Sequence, residues 1–272
     1  MKKFVTGVLC AALAAGLAGC GSSSASTQAS ASTAAAEDDS LQKVLDAGEL
    51  RIGLEGDWQP FSYHDENDNL VGYDVEVAQN IADRLGVEAD ITEGAWDGLL
   101  TGLSTGVYDV VVNGVDVTEE REEAFDFSDP YAYDHIDLVV RSDNDTIKSF
   151  EDLDGATTAN STGSTYAQMG EDYGATVSNV PTLAETMTLV LNGTVEATIN
   201  ADTSVQDYLN TTGETNLKIV DQSDDVTEYA IPMQKGSDSL REAINDALQD
   251  MRDDGTLSEL SVKYFGADLT EA

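Results

Sequence analysis

Apolar residues along this chain fall alternately into short runs and helical stripes. Residues 50–54 form a short buried strand pattern. Residues 74–85 then place Val75, Ala78, Ile81, Ala82 and Leu85 on one helical face, with Gly86 behind them as a C-terminal stop. The pattern predicts a further strand at 87–91, a helix at 97–104 and a strand at 109–112. This β-α-β-α-β series is the kind that builds a parallel sheet covered by helices. After Pro130 the alternation restarts, with strands expected at 136–141, 156–159, 175–180, 197–200 and 217–220 and helices between them. Thr182 followed by Glu185 has the spacing of a capping box ahead of the apolar run 187–191. A strand at 229–234 and a helix at 239–253 close the series. That helix carries Leu240, Ala243, Ile244, Ala247, Leu248 and Met251 on one stripe, and Gly255 stops it. Two α/β units of about 100 residues each imply two lobes, with the cleft between them as the natural ligand site.

The N-terminal apolar run has a different meaning. Lys2 and Lys3 precede an apolar segment, 4–17, and Leu17-Ala18-Gly19-Cys20 follows it. About 20 apolar residues are needed to span a bilayer, so the segment is too short for a permanent helix and reads as a signal peptide. Small residues before a cysteine resemble a lipobox, in which cleavage precedes Cys20 and its thiol is acylated. Residues 1–19 are therefore expected to be a lipoprotein signal peptide, and the Ser-, Ala- and Thr-rich stretch 20–39 a lipidated flexible tether. On this reading Cys10 leaves with the signal and Cys20 carries lipid, so no disulfide forms in the mature chain.

A formal charge of −39 over 272 residues repels nucleic acid and anionic lipid headgroups and argues against both as partners. Catalytic constellations are scarce. The two histidines, His64 and His135, lie far apart, and no His or Cys cluster has metal-ligand spacing. No glycine-rich phosphate loop and no Gly-x-Ser-x-Gly elbow occurs. The sequence implies no catalytic residue, metal or cofactor.

The segment 113–131, Asn-Gly-Val-Asp-Val-Thr-Glu-Glu-Arg-Glu-Glu-Ala-Phe-Asp-Phe-Ser-Asp-Pro-Tyr, directly follows a strand. Its first residues thus belong at the carboxyl end of a parallel sheet, where open α/β folds bind ligands. Arg121 lies one helical turn after Thr118, and a guanidinium beside a hydroxyl and free amides suits a carboxylate. On spacing alone, Arg121 could equally pair with the glutamates around it on a solvated helix.

The same segment resembles the Thr-x-x-Arg and Asp-Phe-Ser-x-Pro-Tyr of the bacterial solute-binding proteins, family 3, the amino-acid-binding components of ABC importers. The likeness runs from Leu50 to Phe265. It includes Pro60-Phe61, the stretch Leu70-Val71-Gly72-Tyr73-Asp74-Val75-Glu76, Trp96-Asp97-Gly98-Leu99-Leu100, Asp254-Gly255-Thr256 and Lys263-Tyr264-Phe265-Gly266. The resemblance implies that Arg121 clamps a ligand α-carboxylate, helped by Thr118 and backbone near Gly114, and that Asp202 takes the α-ammonium group. It assigns Gly163-Ser164-Thr165 to the second lobe's contacts and Trp58 and Trp96 to the faces that sandwich the ligand side chain. Thr157-Thr158-Ala159-Asn160-Ser161, Gly72-Tyr73-Asp74-Val75-Glu76-Val77 and Glu55 are similar to the cystine-binding group. Asp116, where many relatives have Ser or Thr, and Gly114, in place of a polar residue, depart from that group. Glu55, at a position that in relatives reaches the far end of the ligand, and Asp116 together favour a ligand with an additional positive charge.

The expected fold is the two-lobed periplasmic-binding-protein type II α/β fold with a ligand cleft between the lobes. Lobe one is expected to comprise 40–133 plus 228–272, and lobe two 134–227. The expected function is a monomeric extracytoplasmic binding protein, lipid-anchored to the outer face of the membrane. It would deliver cystine, or else lysine, arginine or ornithine, to an ABC permease without chemistry. The alternatives are an arogenate or cyclohexadienyl dehydratase-like enzyme and a ligand-sensing module for a separate receptor.

Overall fold

A computed structural model of the chain describes residues 38–271. The expected signal peptide, 1–19, Cys20 and the expected tether as far as residue 37 lie outside the described residues.

Two five-stranded sheets organise the fold. The first runs Glu88–Glu93, Glu49–Leu54, Val110–Val111, Pro232–Gln234, Phe125–Phe127. Its first three strands are parallel, with Leu50 opposite Ala89 and Ile52 opposite Val110. They are joined by the helices Tyr73–Leu85 and Trp96–Ser104, which bury Val75, Ala78, Ile81 and Ala82, and Leu99 and Leu103, against the sheet region. The second sheet runs Thr176–Asn179, Thr157–Asn160, Ala197–Ala201, Ile136–Arg141, Leu217–Gln222. Its first three strands are parallel and the last two pair antiparallel.

The chain passes from the first sheet to the second through Ala132–Asp134 and returns through Thr227–Ala230. These two strands pair antiparallel with each other, and Thr227–Ala230 pairs antiparallel with Val115–Asp116. The structure corrects two expectations here. The single strand expected at 229–234 is two strands, Thr227–Ala230 and Pro232–Gln234, in different sheets. The first sheet is accordingly mixed rather than all parallel, because Pro232–Gln234 enters from the return crossover and runs against both neighbours. Between the two strands Ile231 leaves the ladder: its N–H donates to Ser128 Oγ at 2.9 Å and its carbonyl accepts from Ser128 N at 3.0 Å.

Helix ends follow local chemistry. Tyr73–Leu85 stops at Gly86, whose φ of 75° places it in the left-handed region that glycine enters without a Cβ penalty. Thr182 caps Leu183–Leu191 by accepting from Glu185 N at 3.2 Å, while the two-way box forms at Ser149 and Asp152. A short helix, Ser40–Ala47, precedes the first strand; its single buried residue, Val44, leaves little periodicity to read.

Candidate ligand-binding site

The carboxyl ends of the parallel strands in both sheets face one cleft. From the first sheet come Glu55, just past Glu49–Leu54, and Asn113, Gly114 and Asp116, past Val110–Val111. From the second come Ser161, Ser164, Thr165 and Tyr166 after Thr157–Asn160, Pro181, Thr182 and Leu183 after Thr176–Asn179, and Asn200. Trp58, Trp96 and Asp57 complete the lining.

Gly114 sets the geometry of this wall. Its φ is 47°, and a Cβ there would sit 2.6 Å from Trp58 Cζ3, so only glycine lets the indole lie flat across the backbone. Trp58 stacks on Phe61 with ring centroids 4.2 Å apart and planes 11° apart, and its Nε1 donates to Asn200 Oδ1 at 3.3 Å. Gly114 N donates to the Tyr131 hydroxyl at 3.0 Å, which in turn donates to Asp74 Oδ1 at 2.7 Å beneath the site. Asp74 is fully buried, and burial pushes its carboxyl up to about 8.

Glu55 and Asn113 are locked together. Glu55 N donates to Asn113 Oδ1 at 2.7 Å and Asn113 Nδ2 donates to Glu55 Oε2 at 2.8 Å. Burial raises the Glu55 carboxyl to about 7, against the opposing effect of the Asn113 bond. Burial raises Asp57 as well. The lining therefore contains three carboxylates, Glu55, Asp57 and Asp116, and among its described residues no Lys, Arg or His.

Arg121 stands directly behind this wall, 8% exposed. It is the third residue of the helix Glu119–Ala124, whose N-cap Thr118 accepts from Arg121 N through Oγ1 at 3.2 Å. Its guanidinium Cζ lies 5.2 Å from the Trp96 ring centre. Nη1 donates to the Asp116 carbonyl at 3.0 Å and makes a short ion pair with Asp116 Oδ1, and Nη2 reaches Gly163 O at 3.4 Å.

Seven of the sequence-predicted residues, Glu55, Trp58, Trp96, Gly114, Asp116, Ser164 and Thr165, thus line one cleft, with Arg121 in contact with Asp116. Two residues stand apart. Thr118 spends its hydroxyl on the helix cap. Asp202 opens the helix Asp202–Thr212 away from the lining: its N donates to His135 O at 2.9 Å, its Oδ1 accepts from Gln206 at 3.2 Å, and its carboxyl pairs with that of Asp137. Burial, and then the Asp202 contact, raise Asp137 well above the usual carboxylate range. The change of element separates the two: Asn200, still within the strand Ala197–Ala201, faces the cleft, whereas Asp202 is already the first residue of the next helix. Ser164 caps Thr165–Asp172, accepting from Ala167 N at 3.1 Å and donating to Ser161 O at 2.8 Å, so it offers the cleft mainly backbone.

Sequence reasoning passed over Asp57, Asn113, Ser161, Tyr166, Thr182 and Asn200. For Asn113 and Asn200 a signal existed, since each is a polar residue at the carboxyl end of an apolar strand run. Tyr166 gave none, because its hydroxyl meets that of Tyr229, 63 residues away, at 3.1 Å.

Residues 50–267 match the model of the bacterial extracellular solute-binding proteins, family 3. The chain is 36% identical, over all of both chains, to the L-cystine-binding protein TcyA of Bacillus subtilis (strain 168). An ancestral arginine-binding protein bound to arginine superposes with a TM-score of 0.76 at 36% identity, covering 80% of this chain and 99% of that one. An ancestral amino-acid-binding protein, a precursor of cyclohexadienyl dehydratase, superposes with a TM-score of 0.76 at 31% identity, covering 83% and 99%. Among the described residues no helix is long and apolar enough to cross a membrane. A two-lobed α/β fold, a cleft at the strand ends and a match across almost every described residue agree: the chain belongs to the bacterial extracellular solute-binding proteins, family 3.

Proposed function

We propose that this protein binds an α-amino acid carrying a second positive charge and hands it to the permease of an ABC importer. Cystine is the first candidate, and arginine, lysine and ornithine come next. The observation that carries this reading is the charge of the cleft wall, three carboxylates with no lining cation, flanked by two tryptophans. A distal ammonium or guanidinium beside Glu55 satisfies a buried carboxylate that otherwise takes up a proton. A cation over an indole face adds about 0.5–2 kcal/mol. The cystine-binding relative and the arginine-bound neighbour support the same class. Arg121 would hold the α-carboxylate. Residues 40–133 plus 228–272 would form one lobe and 134–227 the other, hinged at the crossover strands and closing on the ligand. The protein would work as a monomer, tethered to the outer face of the cell membrane through acylated Cys20, without transforming its ligand.

A thermal-shift series over L-cystine, L-arginine, L-lysine, L-ornithine, L-glutamate and L-leucine tests the reading. A ligand at 100 times its dissociation constant adds about 2.7 kcal/mol of stability. Stabilisation by the first four and not the last two is expected, and glutamate or leucine as the best ligand would refute the charge argument. Turnover of arogenate or prephenate would instead establish the dehydratase-like reading that the neighbour described as a precursor of cyclohexadienyl dehydratase raises. Cys20→Ala should release the protein from membranes.

A further inference from the structure

We propose that Asp116, and not Asp202, receives the ligand's α-ammonium group, side by side with Arg121 on the α-carboxylate. This assignment rests on the amino-acid-binding reading above. An α-amino acid carries its two charges on one carbon, so its receptor must set an anion next to a cation. Among the described residues at the cleft, Asp116 and Arg121 are the pair in contact, with side chains 13% and 10% exposed. Arg121 spends Nη1 on Asp116, while Nη2 makes only a long bond to Gly163 O and Nε has no partner among the described residues. The Nε and Nη2 edge is therefore the one with donors left for a bidentate carboxylate. Asp116 spends Oδ1 on Arg121, and an ionised carboxylate has acceptor sites to spare on its second oxygen.

Asp202 stands outside the lining. At the start of the helix that follows Ala197–Ala201, its Oδ1 accepts from Gln206 and its carboxyl adjoins that of Asp137, and no cation among the described residues contacts it. Glu55 and Asp57 line the cleft but neither touches Arg121, so neither forms with it the adjoining anion and cation that the two charges of one α-carbon call for. Asp116 also gives the site a selectivity that a hydroxyl would not. A simple carboxylic acid bound on Arg121 would face the unneutralised Asp116 charge, whereas a zwitterion brings its own ammonium to that oxygen.

Calorimetry with L-arginine and its des-amino analogue, 5-guanidinopentanoate, tests the assignment in the wild type and in Asp116→Asn, Asp116→Ser and Asp202→Asn. The wild type should prefer L-arginine by about 30-fold or more, the size expected for a desolvated charge pair, and Asp202→Asn should keep that preference. In both Asp116 variants the preference should fall to about 3-fold or less. Circular dichroism and unliganded melting confirm that each variant folds, and the two Asp116 side chains differ enough in size that a packing defect would not affect both alike. Loss of the preference in Asp202→Asn with retention in the Asp116 variants overturns the assignment, as does tighter L-arginine binding without Asp116. If the wild type binds L-glutamate instead, the same comparison with glutarate decides between Asp116 and Asp202, and only the charge argument for the ligand falls. If no L-amino acid binds the wild type, the binding reading fails and this assignment with it.

Discussion

Glu55 shows how one side chain can tie recognition to proton uptake. Its carboxyl is raised to about 7 by burial, so near neutral pH it stands half protonated, with Asn113 holding it in place in either form. A ligand cation beside it favours the ionised form, and binding must therefore strengthen as pH rises through 7. For L-arginine or L-lysine, whose own charges stay fixed in this range, affinity should increase about 10-fold from about pH 6 to about pH 8, and Glu55→Gln should flatten the profile. Titration calorimetry at the two pH values checks this, and a flat wild-type profile would remove Glu55 from the site. Gly114 is the other residue on which the wall depends. Gly114→Ala forces a Cβ to within 2.6 Å of the Trp58 ring at a φ of 47°, so the indole must leave its stack on Phe61. We expect a loss of about 1–3 kcal/mol of stability, with ligand affinity falling alongside it, measured by denaturant unfolding and calorimetry.

At the scale of elements, the apolar pattern of the sequence carried the strands and helices well and their partners poorly. The helix expected at 74–85 forms as Tyr73–Leu85, and the strand expected at 136–141 forms as Ile136–Arg141, because each buries a periodic face that the sequence displays. The strand expected at 229–234 splits, because periodicity reports which residues are buried and not which sheet they join. What divides it is a side chain over 100 residues away, Ser128, whose hydroxyl takes the Ile231 N–H. The candidate site was legible to the same extent. Residues at strand ends next to recognisable motifs, such as Gly114 and Asp116, could be named, while the orientation of Asp202 depended on tertiary contacts with Asp137 and His135. The crossover itself gives a prediction. Ser128→Ala leaves the buried Ile231 N–H without its acceptor and should cost about 1–3 kcal/mol, read from urea unfolding. An unchanged midpoint would mean that the crossover finds another partner for that donor.

Across the whole molecule, burial of carboxyls works against a chain that is already highly acidic. Asp74 is raised to about 8, Glu55 to about 7 and Asp134 to about 6, each chiefly by burial. Between the ordinary carboxylate value and these raised values the folded state holds more protons than the unfolded chain. Stability contributed by their protonation is therefore lost as pH climbs through that window. Below about pH 4 the sign reverses for groups such as Asp143, held low by its bond from Arg141, because they must be protonated on unfolding and their contribution is lost as pH falls. The unliganded protein should thus be most stable in mildly acidic solution and melt at a lower temperature at about pH 8 than at about pH 5. Two causes of that decline can be separated. Repulsion within a chain of net charge −39 acts between exposed groups and is screened over a Debye length of about 8 Å at physiological salt. The cost of ionising Asp74 is a desolvation cost in a site closed to water, where its Oδ2 has no partner, and salt does not reach it. Added sodium chloride should recover only part of the loss at about pH 8, and Asp74→Asn should recover part of the remainder by keeping a neutral group against Tyr131 at every pH. Scanning calorimetry of both proteins at the two pH values, with and without salt, checks the division. If salt alone restores the wild-type melting temperature, or if Asp74→Asn retains the full decline, the buried carboxyl beneath the cleft is not what limits stability at high pH.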